Sequence, residues 1–433
     1  MEFYRDLKLY KDKIRENIFL QNIAVVASGN VAAKLIGILS APILTRIYSP
    51  EDFGVYSVFV SIIVIIGTFA TLRYAVTIPL AESEGLADDV IKLCFLVSVL
   101  FSLLLAVFTA FLGSYIAIAF SADEIIPYLW FIPLAVFGKG LYETLNNWAV
   151  RSKQFKLITK TKVNQGISSS VIKMGLGAVG FTPSGLIVGQ IFQEAAGIGS
   201  LFSKLSKTKK DIFREFSWVQ IKRAAVRFKN FPLIQSWSQL LLSVGSQLPI
   251  LLIGYIFGLK VVGVFGLAQS LINMPMDLLG QSVAQVYYSE ISKIGKNNPE
   301  KILRLSISLI KKLVLVGIFP VFLLMIFGPF LFEVFFGSEW RDAGVYSQFL
   351  SVLILTRFIS APIMNCLNVL EIQAIQLWLN SLRIVVTLMV FCLAMYLDMT
   401  PKSTLLLYSI SVSIFYIYVV VKILKILKHW KSK

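Results

Sequence analysis

Histidine occurs once in the 433 residues and cysteine three times. His429 lies in a basic carboxy-terminal tail, so no histidine–cysteine–carboxylate cluster is available to hold a metal. Cys94, Cys366 and Cys392 are far apart and inside apolar runs, which excludes a disulfide framework and leaves them as small buried hydrophobes. Charge is scarce too: 15% of residues are charged against 57% hydrophobic, with a mean hydropathy of +0.77. A soluble protein of this length needs more polar surface, and no stretch between the apolar runs is long enough for a soluble domain. P-loop, nucleophile-elbow and metal-site motifs are missing. These absences exclude the common enzyme classes.

What the chain has is apolar runs of bilayer length. Twelve spans are expected, near 18–43, 54–76, 90–112, 125–149, 163–182 and 184–203, then 231–257, 261–289, 306–332, 344–369, 373–397 and 403–426. The first is expected to be a true span and not a cleaved signal, since further spans follow it. Between the first two, Ser49-Pro50-Glu51-Asp52 offers an N-cap, a proline at the first helical position and carboxylates in the first turn. Lysine and arginine total 41 against 24 acids, a net charge of +17. Most of these cations fall on the side of the two termini, so the positive-inside rule makes both termini cytoplasmic. Anionic headgroups account for the charge without nucleic acid. The acidic loop 77–89 runs against this bias. Within the connector, Ile212, Phe213, Phe216 and Val219 form an apolar stripe among basic residues, predicting a helix on the cytoplasmic membrane surface.

The connector divides the spans six and six, and the halves echo each other. Residues 46–62, RIYSPEDFGVYSVFVSI, align with 255–271 at an offset of 209, and 111–120 with 326–335 at an offset of 215. Six is even, so the repeats are parallel. The expected fold is therefore an all-α polytopic membrane protein with about 12 transmembrane helices in two six-helix lobes, related by a parallel pseudo-two-fold repeat, around a central cavity. The expected boundaries are an N-lobe over 1–203, a basic amphipathic connector over 204–230 and a C-lobe with basic tail over 231–433.

Five cations lie within spans, Lys34, Lys139, Lys173, Arg357 and Arg383, with three acids, Glu143, Glu194 and Asp277. Five lipid-facing cations would cost roughly 12–17 kcal/mol, so they must face water, pair or snorkel. Helical spacing favours a watery cavity. Lys139, Glu143 and Asn146 share one face of the fourth span, and Arg357, Ser360 and Asn365 one side of its counterpart, the tenth. Asn30 and Lys34 are one turn apart in the first span. The seventh carries Gln235, Gln239, Ser243 and Ser246, the eighth Asn273, Asp277, Gln281 and Gln285, and the eleventh Gln376, Asn380, Arg383 and Thr387. Structural alternatives stand beside this: a Lys139–Glu143 pair, a Lys173–Glu194 lock and a proline kink near Asp277. The cationic excess suits an anionic solute such as a diphosphate or an acidic sugar. Asparagine and glutamine suit hydroxyl-rich ligands.

The stretches NIAVVASGNVAAKLIGILSAPILTRIYSPEDFGVYSVFVSI, LRYAVTIPLAE and LYETLNNWAVRSKQFKLITKTKV resemble the Wzx-type oligosaccharide flippases of the multidrug/oligosaccharidyl-lipid/polysaccharide (MOP) exporter superfamily. TRIYSPEDFG and NNWAVRSKQF are the specific pair. The resemblance implies a bacterial inner-membrane transporter, not an enzyme and without a cofactor. It would move undecaprenyl-diphosphate-linked repeat units from the cytoplasmic to the periplasmic leaflet, for O-antigen, capsule or exopolysaccharide synthesis, by alternating access of the lobes. It further implies a cationic cavity, a role carried onto Lys34, Lys139, Arg357 and Arg383. Partners would be the lipid-linked oligosaccharide, membrane lipids, a polysaccharide polymerase and a chain-length regulator. Glu143, Glu194 and Asp277 are the candidates for H+ or Na+ coupling. The rivals are a multidrug cation antiporter of the same superfamily, which would want an acidic cavity, and a membrane polysaccharide polymerase or ligase, which would want a large external loop.

Overall fold

The computed structural model describes residues 18–119, 123–209, 212, 217–295 and 298–430. The mixed-charge amino-terminal segment and Phe213 and Phe216 of the connector lie outside the described residues. Among the described residues all regular secondary structure is helical. Helix α1 (Ile18–Ile47), α2 (Pro50–Ile66), α3 (Glu84–Ala119), α4 (Phe131–Arg151), α5 (Phe155–Ala178), α6 (Ser184–Ala195) and α7 (Ile198–Thr208) are followed by α8 (Trp218–Arg227) in the connector. Then come α9 (Ser236–Phe257), α10 (Leu259–Ile294), α11 (Pro299–Phe336), α12 (Arg341–Ile363), the single turn α13 (Cys366–Val369), α14 (Gln373–Tyr396) and α15 (Pro401–His429).

Among the described residues, nine helices are long and apolar enough to cross a membrane, or ten if the bent pair within α10 counts as one span. The two expected spans missing from that set are α4 and α5. Both form helices of spanning length, 21 and 24 residues, but their charges, Lys139, Glu143 and Arg151 in one and four lysines in the other, dilute the apolar run. Helix α11 shows the opposite extreme. It is 38 residues long, about 57 Å, and leaves Leu315, Phe319, Phe322 and Phe330 more than half exposed. Such a face is stable only against lipid.

The repeat is visible in helix starts. Pro50 and Leu259 begin α2 and α10 at the 209-residue offset of the sequence echo. Glu84 and Pro299 begin α3 and α11 at the 215-residue offset. The chain forms two compact units, one of residues 1–44, 62–114 and 126–237, the other of residues 45–61, 115–125 and 238–433. The first half of α2 thus belongs with the carboxy-terminal helices.

The motif SPEDFG explains how that half-helix is fastened. Ser49 N donates to Asp52 Oδ2 at 2.9 Å and Asp52 N to Ser49 Oγ at 3.1 Å, the reciprocal cap expected from the sequence. Trp340, fully buried, donates its indole N–H to the Thr45 carbonyl at 3.0 Å and meets the Phe53 ring edge-on at 4.9 Å. Gly54 and Gly263 let α2 and α10 cross backbone to backbone. A Cβ on Gly263 would sit 1.8 Å from the Pro50 carbonyl oxygen, and one on Gly54 2.0 Å from that of Leu259.

The other unit has its own core, which includes Tyr74, Ile91, Cys94, Leu145, Trp148 and Leu201. Ile212, Ile221 and Ala224 of the connector join this core, and Tyr74 OH donates to the Ala225 carbonyl at 3.3 Å. One side of the expected surface stripe is therefore docked into protein, while Trp218, Val219 and Val226 stay exposed. The cysteines also divide: Cys94 and Cys366 are buried as expected, but Cys392 is exposed on α14, where lipid covers a spanning helix.

Candidate functional site

The expected continuous second span breaks after residue 69. Helix α2 tightens into a 3-10 turn at Gly67–Phe69, and Leu72 and Arg73 then take φ of 48° and 61°. That conformation is unusual for residues with a Cβ, at a cost of about 1–3 kcal/mol each. The surrounding contacts hold it. Arg73 Nη1 lies 3.5 Å from Glu143 Oε1, and Thr71 Oγ1 donates to Glu143 Oε2 at 3.4 Å. Ser98 Oγ donates to the Ala70 carbonyl at 3.0 Å. Lys139 Nζ donates to the Ile63 carbonyl at 3.4 Å, where the α-helix loosens. Its chain fills the space beside Gly67, where a Cβ would come within 2.8 Å of it.

The structural alternative of an i,i+4 ion pair between Lys139 and Glu143 is thus replaced. Glu143 takes Arg73 as its ion-pair partner, and Lys139 acts on it only through space. Arg73 does not stand out in the sequence, because LRYAV reads as the end of an apolar span. Asn146, on the same face, has a buried Oδ1 that makes no hydrogen bond. This unsatisfied acceptor stands one turn from the charge cluster.

The remaining candidates of this unit are spread more widely. Asn30 and Lys34 are half-buried on α1, which packs on α5 through Gly29 against Thr159 and Gly166 against Ala33. Lys34 has no partner among the described residues. Lys173 is buried, 7% exposed, against Gly189 of α6. The Lys173–Glu194 lock does not form. Glu194 instead accepts from Gln190 Nε2 at 3.0 Å and interacts electrostatically with Lys162, whose ammonium lies 4.6 Å from the Tyr142 ring centroid.

In the other unit two distant arginines meet. Arg357 of α12 and Arg383 of α14 line one small cavity of about 40 Å³, together with Ser246, Gln269, Asn273 and Tyr416. Arg357 Nη1 donates to Asn273 Oδ1 at 3.4 Å, and Arg383 Nη1 to Tyr416 OH at 3.2 Å. Arg383 has no carboxylate partner among the described residues. Gln239 is half-buried on α9, one turn before the buried Ser243. Asn365 leaves the expected line: α12 ends at Ile363, so the residue sits in the following turn. The buried Ser360 hydroxyl makes no hydrogen bond. The Asp277 side chain lies outside the described residues.

A third cluster resolves the acidic loop. Arg151 donates to the Ile78 and Ala81 carbonyls at 3.0 and 2.7 Å and pairs with Glu84 at 2.9 Å. Lys209 bonds Glu84 at 2.7 Å and also Asp88, while Arg227 bonds Glu82. Arg151 is thus engaged within the protein. Burial disfavours the Lys209 ammonium, but its bonds to Asp88 and Glu84 outweigh this and raise its pKa.

These features can be set beside known proteins. Residues 43–345 match the profile of a family described as polysaccharide biosynthesis protein. The chain belongs to that family. Its fold is that of the MOP superfamily transporters. A multidrug resistance MATE family transporter of that superfamily, in an inward-facing conformation, superposes with a TM-score of 0.72 at 16% identity, covering 92% of this chain and 96% of that one. The lipid II flippase MurJ, inward closed, gives 0.68 at 14% identity, covering 95% and 94%. A MOP superfamily transporter from Pyrococcus furiosus gives 0.59 at 16% identity, covering 94% and 96%. No curated protein sequence matches the chain significantly. Both fold and family agree with the resemblance carried by TRIYSPEDFG and NNWAVRSKQF, and the family's profile spans both motifs.

Proposed function

We propose that this member of the polysaccharide biosynthesis family flips undecaprenyl-diphosphate-linked oligosaccharide repeat units from the cytoplasmic to the periplasmic leaflet of a bacterial inner membrane. The observation that carries the reading is Arg383. It is an intramembrane cation with one phenol partner and, among the described residues, no carboxylate. Holding such a charge within a span costs about 2.5–3.5 kcal/mol on insertion scales, and an anionic headgroup offsets that cost only while it is bound. A multidrug antiporter of the same fold would need an anionic wall for its cationic drugs, which this arginine opposes.

The bias of lysine and arginine supports cytoplasmic termini. The polymerase and chain-length regulator would then act on the translocated lipid. Glu143 supports a proton-coupled cycle, because one carboxylate there holds both Thr71 and Arg73 at the helix break. The test is reconstitution in proteoliposomes with a fluorescent lipid-linked oligosaccharide, scored by access of an external quencher or glycosidase. Protein-dependent flipping that rises with an imposed pH gradient is expected. No flipping above empty vesicles would remove the reading. Flipping indifferent to H+ and Na+ gradients would remove the coupling role of Glu143, Glu194 and Asp277.

A further inference from the structure

The basic run KILKILKH ends helix α15 without a break, since the helix continues from Pro401 to His429. Lys402 and Lys422 are about 20 residues, and so about 30 Å, apart along its axis. That is the thickness of a bilayer's hydrocarbon core, which puts the two lysines at opposite headgroup levels. At its level Lys422 is seated on aromatic rings. Its ammonium lies 3.9 Å from the ring centroid of Trp378, on α14, and 5.5 Å from that of Tyr418, one turn back on α15. Tryptophan and tyrosine are the side chains of the membrane interface. Toward the bilayer middle Ile410, Ile414 and Ile417 are 49–62% exposed, a surface that lipid covers. In the other direction Lys425 follows Lys422 on the same face. Neither lysine has a carboxylate partner among the described residues. The helix dipole accounts for Lys428 and His429 in the last turn, and His429 Nδ1 donates to the Lys425 carbonyl at 3.0 Å. It does not account for Lys422, two turns earlier.

We propose that the outer surface of α14 and α15 at this end binds an anionic glycerophospholipid, with its phosphate on Lys422 and Lys425 and an acyl chain along Ile414 and Ile417. A zwitterionic lipid offers the same chains, but its headgroup carries an ammonium that the two lysines repel. Two basic residues side by side at headgroup depth therefore select for net negative charge. The Trp378 ring holds the Lys422 ammonium at that depth. Tyr408, Val412 and Tyr416, which line the arginine cavity, occupy a different side of α15, so this lipid is separate from any cargo. It would brace from outside the two helices that Arg383 and Tyr416 join within the span. With both termini cytoplasmic, the surface faces the inner leaflet.

The experiment is native mass spectrometry of the full chain, titrated in detergent with phosphatidylglycerol or with phosphatidylcholine. Each lysine at an anionic headgroup should contribute about fivefold, so the first phosphatidylglycerol should bind about tenfold tighter than phosphatidylcholine or more. Lys422→Gln with Lys425→Gln should remove most of that preference, and Lys422→Arg with Lys425→Arg should keep it. Lys311→Gln with Lys312→Gln takes the same charge from an exposed stretch of α11 and should leave the preference unchanged. That pair separates a built site from the general field of a chain of net charge +17. Trp378→Leu keeps both lysines and removes the ring, and should weaken phosphatidylglycerol about twofold to fivefold. It decides the matter if the glutamine pair does not fold. No preference in the native protein, a preference that survives in the Lys422 and Lys425 glutamine pair, or an equal loss in the Lys311 and Lys312 pair would overturn the proposal, as would native affinity in Trp378→Leu.

Discussion

Arg73 and Glu143 form their ion pair 3.5 Å apart, each about a quarter exposed, at the point where α2 gives way to two left-handed residues. Their exposure moderates both the desolvation cost and the attraction. The pair matters because it restrains a strained turn. Replacing Arg73 by Gln leaves Glu143 without its ion-pair partner, and replacing Glu143 by Gln leaves Arg73 in the same position. Each single variant should lose stability, and the double variant should lose less than the sum, with a coupling of about 1–3 kcal/mol. Thermal unfolding in detergent measures this, and additive losses would show that the pair does not hold the break. Lys139, Glu143 and Asn146 are legible in the sequence, since i, i+4 and i+7 define a face whatever the fold. Arg73 is not, because its importance comes from a backbone conformation that two non-glycine residues adopt only under tertiary restraint.

At the scale of elements, the sequence named the helices well because each apolar run must be helical to satisfy its backbone in lipid. The capping box at Ser49 and Asp52 and the repeat offsets were legible for the same reason: both are local or periodic. What was not legible was which helices touch. Thr45, Phe53 and Gly54 lie in a fairly specific motif, yet their work is contact with Trp340 and Leu259, more than 200 residues away. Glycine is needed at the α2–α10 crossing because backbone meets backbone there. Gly263→Ala should therefore destabilise the protein at or beyond the upper end of the usual overpacking range, about 3 kcal/mol. Gly175→Ala, in a helix with open space at the Cβ position, should be neutral or stabilising by about 0.5–1 kcal/mol. Fluorescence-detected chromatography after heating compares the two. Equal midpoints would mean that the crossing tolerates a side chain.

For the whole molecule the question is which end faces the cytoplasm. The acidic loop 77–89 argued against the positive-inside assignment only while its charges were counted singly. Glu82, Glu84 and Asp88 are matched by Arg227, Arg151 and Lys209, so that end keeps its unpaired basic residues as net charge. The start of α3, the end of α4 and the end of α7 share this cluster, and so lie on one side of the membrane. Three further ion pairs are single and exposed: Lys260 with Glu51 at 3.5 Å, Arg341 with Glu333 at 3.6 Å and Lys402 with Asp342 at 2.9 Å. With Cys94, Cys366 and Cys392 replaced, Gly85→Cys should react with a membrane-impermeant maleimide only after the inner membrane is opened. Lys402→Cys should react in intact spheroplasts. The reverse pattern would invert the proposed topology and with it the proposed direction of transport.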